Sequence, residues 1–287
     1  MKSILVQLDT DVQPSVFDRV VAVDAGVEQL FAYGGVTPET VESLVFGAIF
    51  TRGIPDLSST ALFVGGSDVS AGERVFQAVQ DAFFGPMRVS VMMDSNGSNT
   101  TAAAAVLRAR RHVTLAGSIA VVLGGTGPVG LRAAELLALE GARVRVGSRS
   151  AERAEGICES IAGRVEGAEL EPVGTADAAS VAGALEGAST VIAAGATGVQ
   201  LISAETLAAA GELQVAIDLN AVPPLGIEGV EMTDKAVERA GVVCYGAIGV
   251  GGTKMKIHTA ALKRLFDAND LVLDTEAIYR IGESLEG

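Results

Sequence analysis

The chain has 287 residues, of which 49% are hydrophobic and 20% charged, and its net charge is −14. This is a globular composition with material for about two domains. The acid excess and the absence of tryptophan speak against a nucleic-acid or anionic-membrane surface, which needs clustered basic groups.

The opening MKSILVQLDTDV reads as a strand, not as a leader, because Asp9 and Asp11 interrupt a short apolar run. A strand is expected over 3–8, then a helix from Pro14 with Ser15 as N-cap. A second strand (28–33) precedes a helix capped by Thr37, with Pro38 at its first position. A strand over 60–64, an amphipathic helix from Ala71 and a strand over 87–93 complete a first domain. The segment DSNGSNTT (94–101) follows that last strand, and an alanine-rich helix from Ala102 ends in RARRH. A second set starts near Ile119, with strands at 142–147, around 169–173, 189–195, 214–220 and 241–249, and helices at 128–140, 151–163, 176–186 and 204–210. Helices from Thr253 and over 275–285 close the chain. The regular alternation predicts an α/β protein of two doubly wound domains. The tail is expected to return to the first domain, giving 1–112 plus 253–287 and a Rossmann-type domain over 113–252. Hinges near 102–117 and 249–253 and a cleft between the domains are expected. No uncharged apolar run approaches the ~20 residues of a membrane span.

The segment VVLGGTGPVG carries Gly125, Thr126, Gly127, Pro128, Val129 and Gly130 in the GxGxxG spacing. A strand precedes it, a helix follows, and a second strand ends about twenty residues on, which is the context of a dinucleotide site. Gly125 is expected to make the tight turn, Gly127 to admit the pyrophosphate, and Gly130 to let helix and strand close up. The helix N-terminus would supply N–H groups to the phosphates. At the end of the second strand, where NAD sites place an acid for the ribose 2′-hydroxyl, stand Ser148, Arg149 and Ser150. Arg149 either pairs with a 2′-phosphate or stands in solvent; the first alternative predicts NADP, with NAD still possible. Ala194 and Gly195, Asn220, and Gly246 with Ile248 occupy later strand ends that would face the same cofactor, or are simple loop residues.

The only cysteines, Cys158 and Cys244, lack any CxxC spacing, so no metal site is expected. Two thiols and no leader fit the cytoplasm. Of the two histidines, His258 shares a helix face with Lys254, pointing either inward or to the surface. Lys254 and Lys256 are expected at a helix start, where cations oppose the macrodipole; function or a solvated surface explains them. Asp11 and Ser15, and Asp94 with Asn96, fall at strand ends of the first domain, as caps or as ligand contacts.

The segments QLDTDVQPSVFD, TPETV, TRG, FVGGSD, AGERVF, DSNGSNTTAAA, GTGPVG, NAVPPLGI and GAIGVGG.K.K.H run in order from residue 7 to 258. Together they resemble the NAD(P)-dependent methylene-tetrahydromethanopterin dehydrogenases of bacterial one-carbon metabolism. The resemblance spans nearly the whole chain. It implies hydride transfer from methylene-tetrahydromethanopterin, the co-substrate, to NADP or NAD, a role in formaldehyde oxidation, and a homo-oligomer, a trimer or hexamer. Such a transfer moves no proton, and its product is a cation that a carboxylate such as Asp94 can stabilise. Lys256 and Asp94 are therefore the expected catalytic residues, and Asn96, Lys254, Asp11 and Ser15 the expected pterin contacts. Methylene-tetrahydrofolate is the alternative substrate. A shikimate- or amino-acid-type dehydrogenase would need a Lys–Asp proton relay, and a non-catalytic NADP sensor would need no polar pterin side.

Overall fold

A computed structural model describes residues 1–286. The chain begins with β1 (Ile4–Asp9), α1 (Val16–Asp24), β2 (Gln29–Tyr33), α2 (Pro38–Ile49), β3 (Thr60–Gly65), α3 (Val69–Asp81) and β4 (Ser90–Met93). A 3-10 turn at Ser95–Gly97 leads into α4 (Ser98–Arg110). Next come β5 (Ile119–Leu123), α5 (Pro128–Leu139), β6 (Arg143–Ser148), α6 (Ala151–Ala162), β7 (Glu169–Gly174), α7 (Ala178–Leu185), β8 (Thr190–Ala193), α8 (Ala204–Ala209) and β9 (Val215–Asp218). The antiparallel pair β10 (Lys235–Arg239) and β11 (Val242–Tyr245) follows. Then come α9 (Ala247–Arg264), β12 (Val272–Leu273) and α10 (Thr275–Ser284).

Two compact units result, Met1–Thr100 with Met255–Gly287, and Thr101–Lys254. The first holds a five-stranded sheet in the order β12-β4-β3-β1-β2, parallel throughout. The second holds a seven-stranded sheet in the order β10-β11-β9-β8-β5-β6-β7, parallel except for β10. The C-terminal helical residues rejoin the first unit. The divisions lie at 100/101 and 254/255, where the sequence reading puts 112/113 and 252/253.

Local chemistry explains the starts. Ser15 Oγ accepts from the Asp18 N–H at 3.3 Å, capping α1. Thr40 Oγ1 accepts from the Thr37 N–H at 3.0 Å, and Pro38 opens α2 where its missing N–H costs nothing. Asp68 caps α3 through Ala71 N at 3.0 Å. The central strands β3 and β8 are buried along their whole length, as strands covered by helices on both faces must be.

Three expectations need correction. The segment 246–249 is not the end of a strand, because β11 stops at Tyr245 and α9 begins at Ala247. Lys254 and Lys256 therefore lie well inside α9, and the macrodipole gives no reason to single them out. Two strands, β10 and β12, were not foreseen. β10 is exposed on both faces and β12 has two residues, so neither carries an alternating apolar pattern.

The first unit's core gathers Leu8, Val45, Leu62, Val75 and Val91. The second gathers Leu123, Val191, Ile202, Ala216 and Ile227. Leu62 is fully buried in the middle of β3. Leu62→Ala is expected to cost about 2–5 kcal/mol, read as a lower urea midpoint with an unchanged slope.

Candidate functional site

The second sheet reverses its winding between β5 and β8. Open α/β sheets bind ligands at the carboxyl ends of strands beside such a reversal. Here the loops after β5 and β8 touch backbone to backbone. Gly124 has φ +72°, and a Cβ there would lie 2.6 Å from the Ala194 carbonyl oxygen. The tight turn thus belongs to Gly124, one residue before the GxGxxG spacing, not to Gly125 as the motif suggested. Gly125 is needed for space, since its Cβ would fall 2.7 Å from Val146 Cγ1 on β6. A Cβ on Gly130 would collide with the Gly124 carbonyl oxygen, so α5 closes on the loop only through glycine. Gly127 is the N-cap of α5 and Pro128 its first residue. Thr126 and Val129 are half-buried beside them. Free N–H groups and a positive helix end therefore face the switch point, a fitting cradle for a pyrophosphate.

At the end of β6 the Ser148 Oγ accepts from the Ser150 N–H at 3.2 Å, and Ser150 caps α6. Arg149, between them, is exposed. No carboxylate occupies positions 147–150, so nothing there repels a 2′-phosphate. Ala194 and Gly195 are half-buried at the end of β8, and Gly195 rests against Leu201.

Asp218, at the end of β9, is fully buried and accepts from the N–H groups of Asn220 (2.9 Å) and Ile227 (2.7 Å). Burial pushes its carboxyl above the ordinary range, and these N–H groups oppose the shift. Asn220, expected to meet the cofactor, spends its side chain on its own loop. Its Oδ1 accepts from Val222 N at 3.1 Å and its Nδ2 donates to the Pro224 carbonyl at 3.3 Å. Gly246 presses on the backbone of Glu231 and Met232, which leaves no space for a side chain. Ile248, in the first turn of α9, is 58% exposed. Both thiols are covered: burial pushes Cys244 up to about 11 and raises Cys158.

The first sheet reverses between β1 and β3. Its strand ends carry Asp9 to Ser15, Gly65 to Asp68, and Asp94 to Ser98. Asp9 is fully buried and accepts from Gln7 Nε2 (3.0 Å), Asp11 N (2.9 Å) and Ser15 N (2.9 Å). Asp11 accepts from the Ser67 hydroxyl at 2.8 Å and the Ser67 N–H at 3.0 Å, which ties the loops after β1 and β3 together. Asp94 is buried at the start of α4. Its Oδ1 accepts from Asn99 N (2.9 Å) and Thr100 N (3.0 Å), and its Oδ2 from Thr100 Oγ1 (2.6 Å). Its cap role is therefore real. Asn96 is exposed, with left-handed φ 53°, and its N–H donates to the Gly66 carbonyl at 2.7 Å. Lys256 is exposed and Lys254 half-buried.

His258 is the residue the sequence left undecided, and it is fully buried. Its Nε2 lies 4.0 Å from Asp18 Oδ1 and its Nδ1 3.9 Å from Asp94 Oδ2. The ring stacks on Phe63 at 5.8 Å between centroids. Sequence singled out Asp18 only as the capping-box position three residues after Ser15, and Phe63 not at all; only the i, i+4 spacing from Lys254 drew attention to this turn of α9. Among the described residues no cluster of His, Cys, Asp or Glu is arranged to hold a metal ion.

Two substitutions test these placements. Gly130→Ala is expected to cost about 1–3 kcal/mol of stability and to weaken nucleotide binding at least about tenfold by calorimetry, because α5 must shift off the loop. Asp94→Ala removes three acceptor contacts and is expected to cost about 2 kcal/mol or more in thermal or urea unfolding, whereas Asp94→Asn keeps an acceptor and costs less.

A family model described as "Methylene-tetrahydromethanopterin dehydrogenase, N-terminal" matches residues 16–96, inside the first unit. The "Bifunctional protein MdtA" of Methylorubrum extorquens is 46% identical, with 99% of both chains covered. The "NAD(P)-dependent methylenetetrahydromethanopterin dehydrogenase" of the same organism is 35% identical over 100% of this chain and 99% of its own. Among solved structures, the ligand-free 5-ketofructose reductase of Gluconobacter sp. strain CHM43 matches with a TM-score of 0.53 at 15% identity, covering 99% of each chain. The quinate dehydrogenase of Corynebacterium glutamicum in complex with NAD matches with a TM-score of 0.53 at 13% identity, again over 99% of each. These two show that the two-domain α/β fold is shared. On the two full-length relatives, the chain belongs to the methylene-tetrahydromethanopterin dehydrogenase family.

Proposed function

We propose that the protein oxidises methylene-tetrahydromethanopterin to its methenyl form by hydride transfer to NADP+ or NAD+, in one-carbon metabolism. The observation that carries this reading is the full-length similarity to a relative named for that reaction, at 35% identity. The second unit supplies the nucleotide cradle after β5, and the first unit supplies the pterin contacts. The nicotinamide ring accepts the hydride at its C4 carbon. The protein's own work is to orient two ligands so that the donor carbon and the acceptor carbon are in contact, and to exclude water.

No residue has to move a proton in that step. Asp94 has both oxygens engaged by the start of α4, and Lys256 is exposed. Such a pair is poorly suited to the proton relay of an alcohol or amine dehydrogenase. Asp94 acts instead as a fixed negative charge that favours the cationic methenyl product, and Lys256, Lys254, Asn96, Asp11 and Ser15 serve in holding the pterin. The exposed apolar side chains Val16, Phe17, Val20 and Val23 on α1 support a homo-oligomer, a trimer or hexamer, which native mass spectrometry measures directly. The reaction belongs to the cytoplasm, a reading supported by two free buried thiols.

The test is a matrix of methylene-tetrahydromethanopterin and methylene-tetrahydrofolate against NADP+ and NAD+, followed by the absorbance of reduced nicotinamide. Turnover with the methanopterin derivative is expected; no reduced nucleotide with either pterin overturns the reading. Arg149→Ala is expected to raise the KM for NADP+ about 10–100-fold, the worth of one charge-assisted contact, and to leave the KM for NAD+ nearly unchanged.

A further inference from the structure

We propose that His258 is a doubly protonated positioning residue. It clamps the Asp18 and Asp94 carboxylates and so fixes the two loops that shape the pterin side of the first unit. This rests on the assignment of that unit to the pterin.

The two ring nitrogens each face a different carboxylate, Nε2 facing Asp18 at 4.0 Å and Nδ1 facing Asp94 at 3.9 Å. A neutral imidazole carries one N–H and one lone pair, so it would turn a lone pair toward one of the two acids. Only the imidazolium attracts both. Phe63 covers one face of the ring at an interplanar angle of 19°, and Phe17 stands 6.2 Å away, so the ring has little freedom to turn. A third acid lies close by. A Cβ added to Gly65 would sit 3.2 Å from Asp9 Oδ2 and 3.7 Å from Asp18 Oδ2. Three carboxylates from β1, α1 and the end of β4 therefore gather around the end of β3, and like charges in a buried setting repel unless a cation joins them. On its own helix, Lys254 stands one turn before His258.

The clamp has a positional consequence. Asp18 is on α1, directly after the loop that Asp9, Asp11 and Ser15 organise. Asp94 holds the start of α4 and the exposed Asn96. An imidazolium between the two acids fixes one loop against the other, which is what a pterin bridging both would need. His258 itself is fully covered, so it positions and does not react.

The test combines a spectroscopic and a kinetic readout. The chain has two histidines, so ¹⁵N spectra of the full-length protein assign His258 once His112→Asn removes the other signal. At neutral pH both ring nitrogens of His258 are expected to show the N–H form. In kinetics, Asp18→Asn and His258→Asn are expected to raise the pterin KM about tenfold, to leave the nucleotide KM unchanged, and to lower kcat by less than KM rises. Asp18 is partly exposed, so its variant keeps the test alive where His258→Asn does not fold. A ring with one bare nitrogen at neutral pH overturns the proposal, as does an unchanged pterin KM in folded Asp18→Asn. Failure of the wild type to reduce nucleotide with either pterin would sink the functional reading alone; the protonation state of the ring would then decide the clamp by itself.

Discussion

Where the loops after β5 and β8 meet, there is no room for a Cβ. Gly124 lies against the Ala194 carbonyl, Gly125 against Val146, and Gly130 against Gly124 itself. The rest of the nucleotide half depends on this. Because the backbones close up, α5 starts hard against the switch point with its first N–H groups unspent. A helix start of this kind can hold an anion without any lysine or arginine. An acidic chain of net charge −14 can therefore hold a multiply charged nucleotide. Its long-range field opposes the ligand, and its local dipoles accept it.

The first unit solves the opposite problem with side chains. Its strand-end loops are long and polar, and carboxylates hold them in place: Asp9 by three donors, Asp11 by Ser67, and Asp94 by the first turn of α4. Buried acids cost solvation energy unless N–H donors and cations surround them. Here the donors are mostly backbone, and they tie the loops down. A negative environment of this kind suits a reaction that leaves its substrate with a positive charge.

The alternation of strands and helices, the caps at Ser15 and Thr37, and the glycine motif were legible in the sequence because each is a local requirement. A cap needs a hydroxyl at one position, and a close approach needs a missing side chain. The sequence carries no new domain pattern after Thr253, and the residues from Met255 cluster with the first unit. What was hidden depends on partners distant in sequence. Gly124 looks like any glycine until Ala194 is set against it. The run GAIGVGG has poor helix propensity, yet Gly246 and Gly249 must lie on the backbone of 231–235, and that packing makes it the start of α9. β10 has no buried face to announce it. Asn220 read as a ligand contact, and only the fold shows its side chain bonded to Val222 and Pro224 of its own loop. His258 sits among lysines on the helix, and nothing short of the fold reveals Asp18 and Asp94 on either side of it.

The covered thiols carry a practical consequence. Cys158 and Cys244 are both buried, and burial holds both in the protonated form that alkylating reagents attack slowly. The native chain is therefore nearly silent to maleimide dyes. A cysteine introduced at an exposed position such as Asn96 would be the one site to label, and a fluorophore there would report on the loop after β4 with no background from the protein's own sulfur.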